Sequence, residues 1–191
     1  MQRTDFGAMS CPIARGLERV GEWWSMLILR DAFLGLSRFD EFQKSLGIAP
    51  NMLARRLAHL VEAGLLEKHR YCQRPPRHEY LLTRRGEDFR PVLLTLLDFG
   101  NRHYAPDGCR VQLVDTDTGE PVELALIDRR TGAEISRDRH RASPGPVADA
   151  DIGQRLAFSE ALRSDPDNRP PYPGLPEPSP AAVPGPPETA S

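Results

Sequence analysis

Asn51, Met52, Arg55, Arg56 and His59 fall within nine residues and carry groups that can read the edge of a nucleic-acid base. An asparagine amide pairs with adenine and an arginine guanidinium with guanine through two hydrogen bonds each, a discrimination of about 1–3 kcal/mol per contact. Leu53, Leu57, Leu60 and Val61 recur at three- and four-residue spacing among them. A helix with these apolar residues inward would hold the five polar or exposed candidates on its outer side. Gln43 and Lys44 lie just upstream, and Arg70, Arg74 and Arg77 downstream. These five supply donors for phosphate oxygens or a narrow minor groove. The bland reading of such charges is a solvated face.

Cys11 offers a different chemistry. It precedes Pro12, so it is expected at a helix N-terminus, where the dipole and free amides favour thiolate over thiol. The competing reading is a small buried apolar residue. Cys72 and Cys109 complete a set of three cysteines that gives no disulfide framework. Catalysis is not expected. His59, His69, His78, His103 and His140 are scattered, and the chain has no Gly-rich phosphate loop, no HExxH spacing and no Ser/His/Asp set. No cofactor and no metal site are expected.

The elements that must position these side chains can be read in order. Ser37 can cap a helix with Asp40 as its acidic partner, and Phe39, Phe42 and Leu46 share one face. Gly47 ends that helix, Ile48 fills the turn, and Pro50 suits the first turn of the next helix because it lacks an amide hydrogen. Ala49 is a poor cap there. Ala63-Gly64 closes the second helix. LLEKHRY and HEYLLT then read as short strands joined by CQRPPR, a stiff basic link. This order predicts a winged helix-turn-helix, mainly α with a small β component, and it points to double-stranded DNA.

Two further amphipathic stretches predict a homodimer. Pro12 to Leu29 is one; the other is a helix capped by Thr83 with Phe89, Val92, Leu93, Leu96, Leu97 and Phe99 in one stripe. A small winged helix has too little surface to cover both, although packing within one protomer is the alternative. A dimer would hold two recognition helices roughly 34 Å apart and select an inverted repeat.

The stretch from Cys11-Pro12 through the Trp24 to Arg30 run, the LARRL and GLLEK segments and PPRHEYLLTRRG to Gly86 resembles the HxlR family of bacterial regulators, related in fold to the MarR group. The resemblance covers about residues 10 to 104. It implies a homodimer on a palindromic operator, usually a repressor and sometimes an activator. It also implies sensing of oxidants or electrophiles near the position of Cys11, as several members do. Where family members commonly have Gly-Lys-Trp, this chain has Gly21-Glu22-Trp23-Trp24, so no contact of that lysine carries over. A winged-helix protein-interaction scaffold, or a ligand-sensing regulator without a redox switch, stays open as an alternative.

Charge and composition divide the chain. Residues 1–106 carry 16 Lys and Arg against 12 Asp and Glu; the remainder carries 9 against 15. The winged helix-turn-helix and dimerisation domain is placed at 1–106. Residues 107–141 are expected to form a small β meander between two turn signals, Thr118-Gly119 and Thr131-Gly132. It is similar to the zinc ribbon of longer relatives, but Thr118, Asp128 and Thr131 stand where thiolates would, and hydroxyls are poor zinc ligands. Residues 142–163 read as a linker and short helix, and 164–191, with ten prolines, as a disordered tail. No secretory signal and no apolar run of bilayer length are visible, so a cytoplasmic protein without membrane contact is expected.

Overall fold

A computed structural model describes residues 9–165, 167 and 170–172 of the 191-residue chain. The chain divides between Ser136 and Arg137 into two compact units. In the first, α1 (Pro12–Val20) and α2 (Trp23–Phe33) precede the helix-turn-helix pair α3 (Phe39–Leu46) and α4 (Pro50–Glu62). The wing, β1 (Leu66–Gln73) and β2 (Pro76–Leu82), is followed by a short α5 (Arg84–Glu87) and by α6 (Arg90–Tyr104).

The amphipathic stretch from Pro12 to Leu29 is broken at Gly21-Glu22 into two helices. Glu22 is extended, with φ −82° and ψ 130°, and a Cβ at Gly21 would lie 2.4 Å from the Leu17 carbonyl oxygen. Pro91 similarly divides the helix expected from Thr83: it cannot donate a hydrogen bond back into α5, so α6 starts anew at Arg90.

Ser37 does not cap α3, and Asp40 is not its acidic partner. The Ser37 carbonyl accepts the Tyr80 amide at 2.7 Å and Arg38 forms a single bridge with Glu79, so this segment is extended alongside β2. The helix therefore begins at Phe39, and the carboxylate in reach of the free amides is Glu41, whose Oε2 accepts from Ser37 N and Arg38 N at 2.9 Å each.

Val20, Ile28, Leu29, Phe42, Ile48, Leu53, Leu57, Leu60, Leu65 and Leu66 form the core. Gly47, at φ +60°, turns the chain between α3 and α4. The wing strands are longer than the sequence suggests: Cys72 pairs with Arg77 and Gln73 with Pro76, so the expected six-residue link shrinks to Arg74-Pro75. A bulge at Tyr71 breaks the register between Arg70 and Cys72.

The C-terminus of α4 is clipped to the wing base. Thr83 Oγ1 donates to the Gly64 carbonyl at 2.6 Å and accepts from Gly86 N at 3.1 Å; Arg85 Nη1 donates to the Ala63 carbonyl at 3.0 Å. Gly86 is buried, and a Cβ there would lie 2.1 Å from the Leu65 carbonyl oxygen. Residues 107–136 form two hairpin turns, each closed by one bridge, Val114 to Pro121 and Ile127 to Glu134, instead of a continuous three-stranded meander. Each turn is a D-x-x-T-G loop held by its own aspartate: Asp115 Oδ1 accepts from Asp117 N and Thr118 N, and Asp128 Oδ1 from Arg130 N. Local side-chain bonds of this kind satisfy the turn backbone without a ladder.

The second unit holds α7 (Ala150–Ser164), capped by Asp149, which accepts from Ile152 N at 3.0 Å. Residues 137–141 group with it and not with the hairpins. Most of the tail expected to be disordered lies outside the described residues; within them, the Tyr172 ring packs edge-on against Phe158 with centroids 5.0 Å apart.

Gly86→Ala is expected to destabilise the fold by about 1–3 kcal/mol, since backbone must move to admit the methyl group; urea unfolding measures this. The amides of Ser37 and Arg38 hold the Glu41 carboxyl below its ordinary value. A depressed folded pKa contributes stability above the unfolded value, near 4.3, that is lost as pH falls through the folded one. Melting curves should therefore show Glu41→Gln losing less stability than the wild type as pH drops below about 4.3.

Candidate nucleic-acid interface

Helix α4 touches α1, α2, α3 and β1. Its inward stripe is Leu53, Arg56, Leu57 and Leu60, all buried. The exposed face carries Asn51, Ala54, Arg55 and Ala58. Asn51 and Arg55 are one turn apart, as are Ala54 and Ala58, so two polar side chains stand beside two methyl groups on one helix surface. Alanine methyls leave room for close approach to a groove and can contact the thymine methyl.

Arg56 is not on the outer face. At about 100° per residue it lies only about 60° from Leu53 and within the leucine stripe. Its Nη2 pairs with Glu22 Oε2 at 2.9 Å, and the side chain is 8% exposed. The acidic residue at the position of the family's usual lysine thus has a partner inside the protein. His59 also turns inward: it is half-buried, and its Nε2 lies 3.3 Å from the Glu18 carbonyl oxygen of α1. Met52 is half-buried against the core, and its sulfur accepts from Arg55 Nη2 at 3.0 Å, which steers the guanidinium along α4.

The phosphate candidates separate in the same way. Lys44 is exposed and Gln43 half-buried on α3. Arg74 and Arg77 are exposed at the wing tip. Arg70 folds back, its Nη2 donating to the Gln73 carbonyl at 2.8 Å and its Nε to that of Cys72 at 3.2 Å, so it braces the tip. Arg38 was not singled out from the sequence; it is exposed and stacks on the Tyr71 ring at 4.7 Å. Nothing in its neighbours' residue types marks that contact, because it depends on the bulge at Tyr71. Partial desolvation, with Lys68 and Arg70 close by, holds the His78 imidazole below its ordinary value.

Cys11 occupies the N-cap position of α1 and is half-exposed; it, Cys72 and Cys109 are all free thiols. Among the described residues no group of His, Cys, Asp and Glu is arranged to hold a metal ion, and no helix is long and apolar enough to cross a membrane.

A helix-turn-helix with an exposed polar recognition face and a basic two-stranded wing defines a DNA-binding transcriptional regulator of the winged-helix, MarR-like class. The family model for the HxlR-like helix-turn-helix matches residues 19–108. The chain is 38% identical over 135 residues, 70% of its length, to a protein of Mycobacterium tuberculosis named an uncharacterized HTH-type transcriptional regulator, covering 85% of that protein. A regulator of Synechocystis with the same description is 33% identical over 111 residues, 58% of this chain and 80% of that one. Among solved structures, PA1607, described as a candidate transcription factor, superposes with a TM-score of 0.67 at 42% identity, over 74% of this chain and all of its own. PA1374 of Pseudomonas aeruginosa, described likewise, gives 0.57 at 54% identity over 76% of this chain and all of its own. The chain belongs to the HxlR-like helix-turn-helix family.

Glu22→Ala strands the buried Arg56 guanidinium without its carboxylate. A loss of about 1–3 kcal/mol is expected in chemical unfolding, the cost of a buried donor left unsatisfied.

Proposed function

We propose that the chain is a homodimeric, sequence-specific repressor acting in the cytoplasm on an inverted-repeat operator. The observation that carries this reading is α4 itself: Leu53, Leu57 and Leu60 are fully buried, which fixes the helix and turns Asn51 and Arg55 outward. In this reading α4 enters the major groove, Lys44 and Gln43 hold the flanking phosphates, and Arg74 and Arg77 extend the contact along the duplex.

The dimer is supported by apolar surface left uncovered in one protomer. Ile13 and Leu17 of α1 are 74% and 47% exposed, Trp23 at the start of α2 is 86% exposed, and Val92, Leu96 and Phe99 of α6 are each about half exposed. The α6 stripe is split: Phe89 and Leu93 pack on the core while those three face away from it. Uncovered apolar groups of this size and number support association with a second copy. Cys11 stands at the N-terminus of α1, two residues before Ile13, so oxidation or alkylation of its thiol would bear on the spacing of the two recognition helices. Equal operator affinity for reduced, oxidised and Cys11→Ser protein would remove the redox part and leave the regulator reading intact.

The test is selection of bound duplexes from a random pool at about 150 mM salt, where weak phosphate binding is screened. Enrichment of an inverted repeat with half-sites about ten base pairs apart is expected. On the selected site, Arg55→Ala should cost about 1–3 kcal/mol per half-site and relax preference at one base pair. Arg77→Ala should weaken all duplexes alike and reduce the salt slope by about 0.9 for each phosphate it no longer neutralises. Unchanged affinity for Arg55→Ala would refute the docking of α4.

A further inference from the structure

The second unit gathers positive charge where its surroundings are acidic. Arg137, Arg139, Arg141 and Arg163 line an open cavity of about 450 Å³, with Asp138 and Glu160 the carboxylates on its wall. Residues 107–191 hold 9 Lys and Arg against 15 Asp and Glu, so four of those nine cations meet here with two of the fifteen anions. A solvated face with no task would follow the local average.

The four arginines do not have equivalent roles. Arg141 Nη1 and Arg163 Nη2 each reach Glu160 at 2.7 Å, which ties the 137–141 segment to the last turn of α7. Both therefore have a structural partner, and Arg163 also suits the carbonyl end of the helix. Arg137 and Arg139 are exposed and have no ion pair or hydrogen bond among the described residues. Two guanidinium forks remain available on a frame that the Glu160 pairs hold in place. The surface lies beyond the residues 19–108 that the family model matches.

We propose that this arginine cavity is a second phosphate-binding surface that takes the DNA backbone and adds to the contacts of the winged helix. The proposal rests on the reading that the chain binds DNA. Planar guanidinium forks match phosphate oxygens, and a broad open cavity suits a strand passing across it. Covalent linkage supplies the rest of the argument. Once α4 is docked, the second unit is held near a polyanion at an effective concentration in the millimolar range, so even weak phosphate contacts are populated.

The experiment compares the full chain with its Arg137→Ala/Arg139→Ala double variant on the selected operator, both as the bare inverted repeat and with about ten further base pairs on each side, one more helical turn. Fluorescence anisotropy across a salt series gives the slope of log affinity against log salt. The variant removes exposed side chains and leaves the Glu160 pairs intact; circular dichroism checks its fold. The expected result is a slope shallower by about 0.9 for each phosphate left unneutralised, near two per protomer, with several-fold weaker binding at about 150 mM salt. Weakening on the longer duplex alone places these phosphates in the flanks, and weakening on both places them beside the repeat; either supports the proposal. Arg137→Lys/Arg139→Lys should restore most of the slope, because charge carries it. Identical slopes and affinities for variant and wild type on both duplexes would overturn the proposal while leaving DNA binding by the winged helix standing. A wild type that binds neither duplex would overturn the DNA reading itself, and this proposal with it.

Discussion

The inward stripe of α4 is the constraint from which the rest of the unit follows. Three leucines on it have no exposed surface, and truncating any one would cost about 2–5 kcal/mol, a large share of the stability of a small domain. Arg56 lies among them, and a guanidinium withdrawn from water must find a carboxylate in a particular place. Glu22 supplies it from the residue just before α2. The rotation of α4 is therefore fixed twice, by shape through the leucines and by charge through the ion pair. Nonspecific packing would allow the helix to roll; a buried directional pair resists that.

The far end of α4 is fixed by backbone chemistry. Gly64, at φ +70°, lets the Leu65 amide return to the Leu60 carbonyl at 2.9 Å, and the carbonyls of Ala63 and Gly64 accept from Arg85 and Thr83 across the wing base. The last carbonyls of a helix have no partner within it, so they are commonly met by solvent. Here the carbonyls of Ala63 and Gly64, just past the end of α4, carry the wing. The geometry of the hairpin relative to α4 is consequently a matter of hydrogen bonds that the chain between Leu65 and Gly86 must close, and the absence of a side chain at Gly86 is a condition for closing them.

Much of this was legible in the sequence, and the parts that were not share a cause. The order of helices and wing follows from apolar spacing with Gly and Pro at the breaks, and Leu53, Leu57 and Leu60 are buried as that spacing requires. Residue type assigns Arg56 and His59 to the outer face, although the same periodicity places Arg56 inside; only the partner at Glu22, 34 positions earlier, makes its burial tolerable. Ser37 reads as a cap until Tyr80 claims its carbonyl. Arg70 reads as a phosphate ligand until the bulge brings the carbonyls of Cys72 and Gln73 into its reach. In each case a contact distant in sequence, or a local irregularity that no residue type announces, overrode a correct local preference.

What remains on the exposed face of α4 is small: Asn51 and Arg55, with Ala54 and Ala58 beside them. In the proposed docking, two bidentate contacts of about 1–3 kcal/mol each would give about 2–6 kcal/mol of base discrimination per half-site. Specific regulators separate their operators from other DNA by about 4–10 kcal/mol. One copy of this helix falls short of most of that range, whereas two copies on related half-sites reach it. In the proposed dimer the uncovered apolar groups on α1, α2 and α6 and the sparse polar face of α4 answer the same requirement. Burying the former against a second copy is what would give the latter enough contacts to distinguish one sequence from a genome of others.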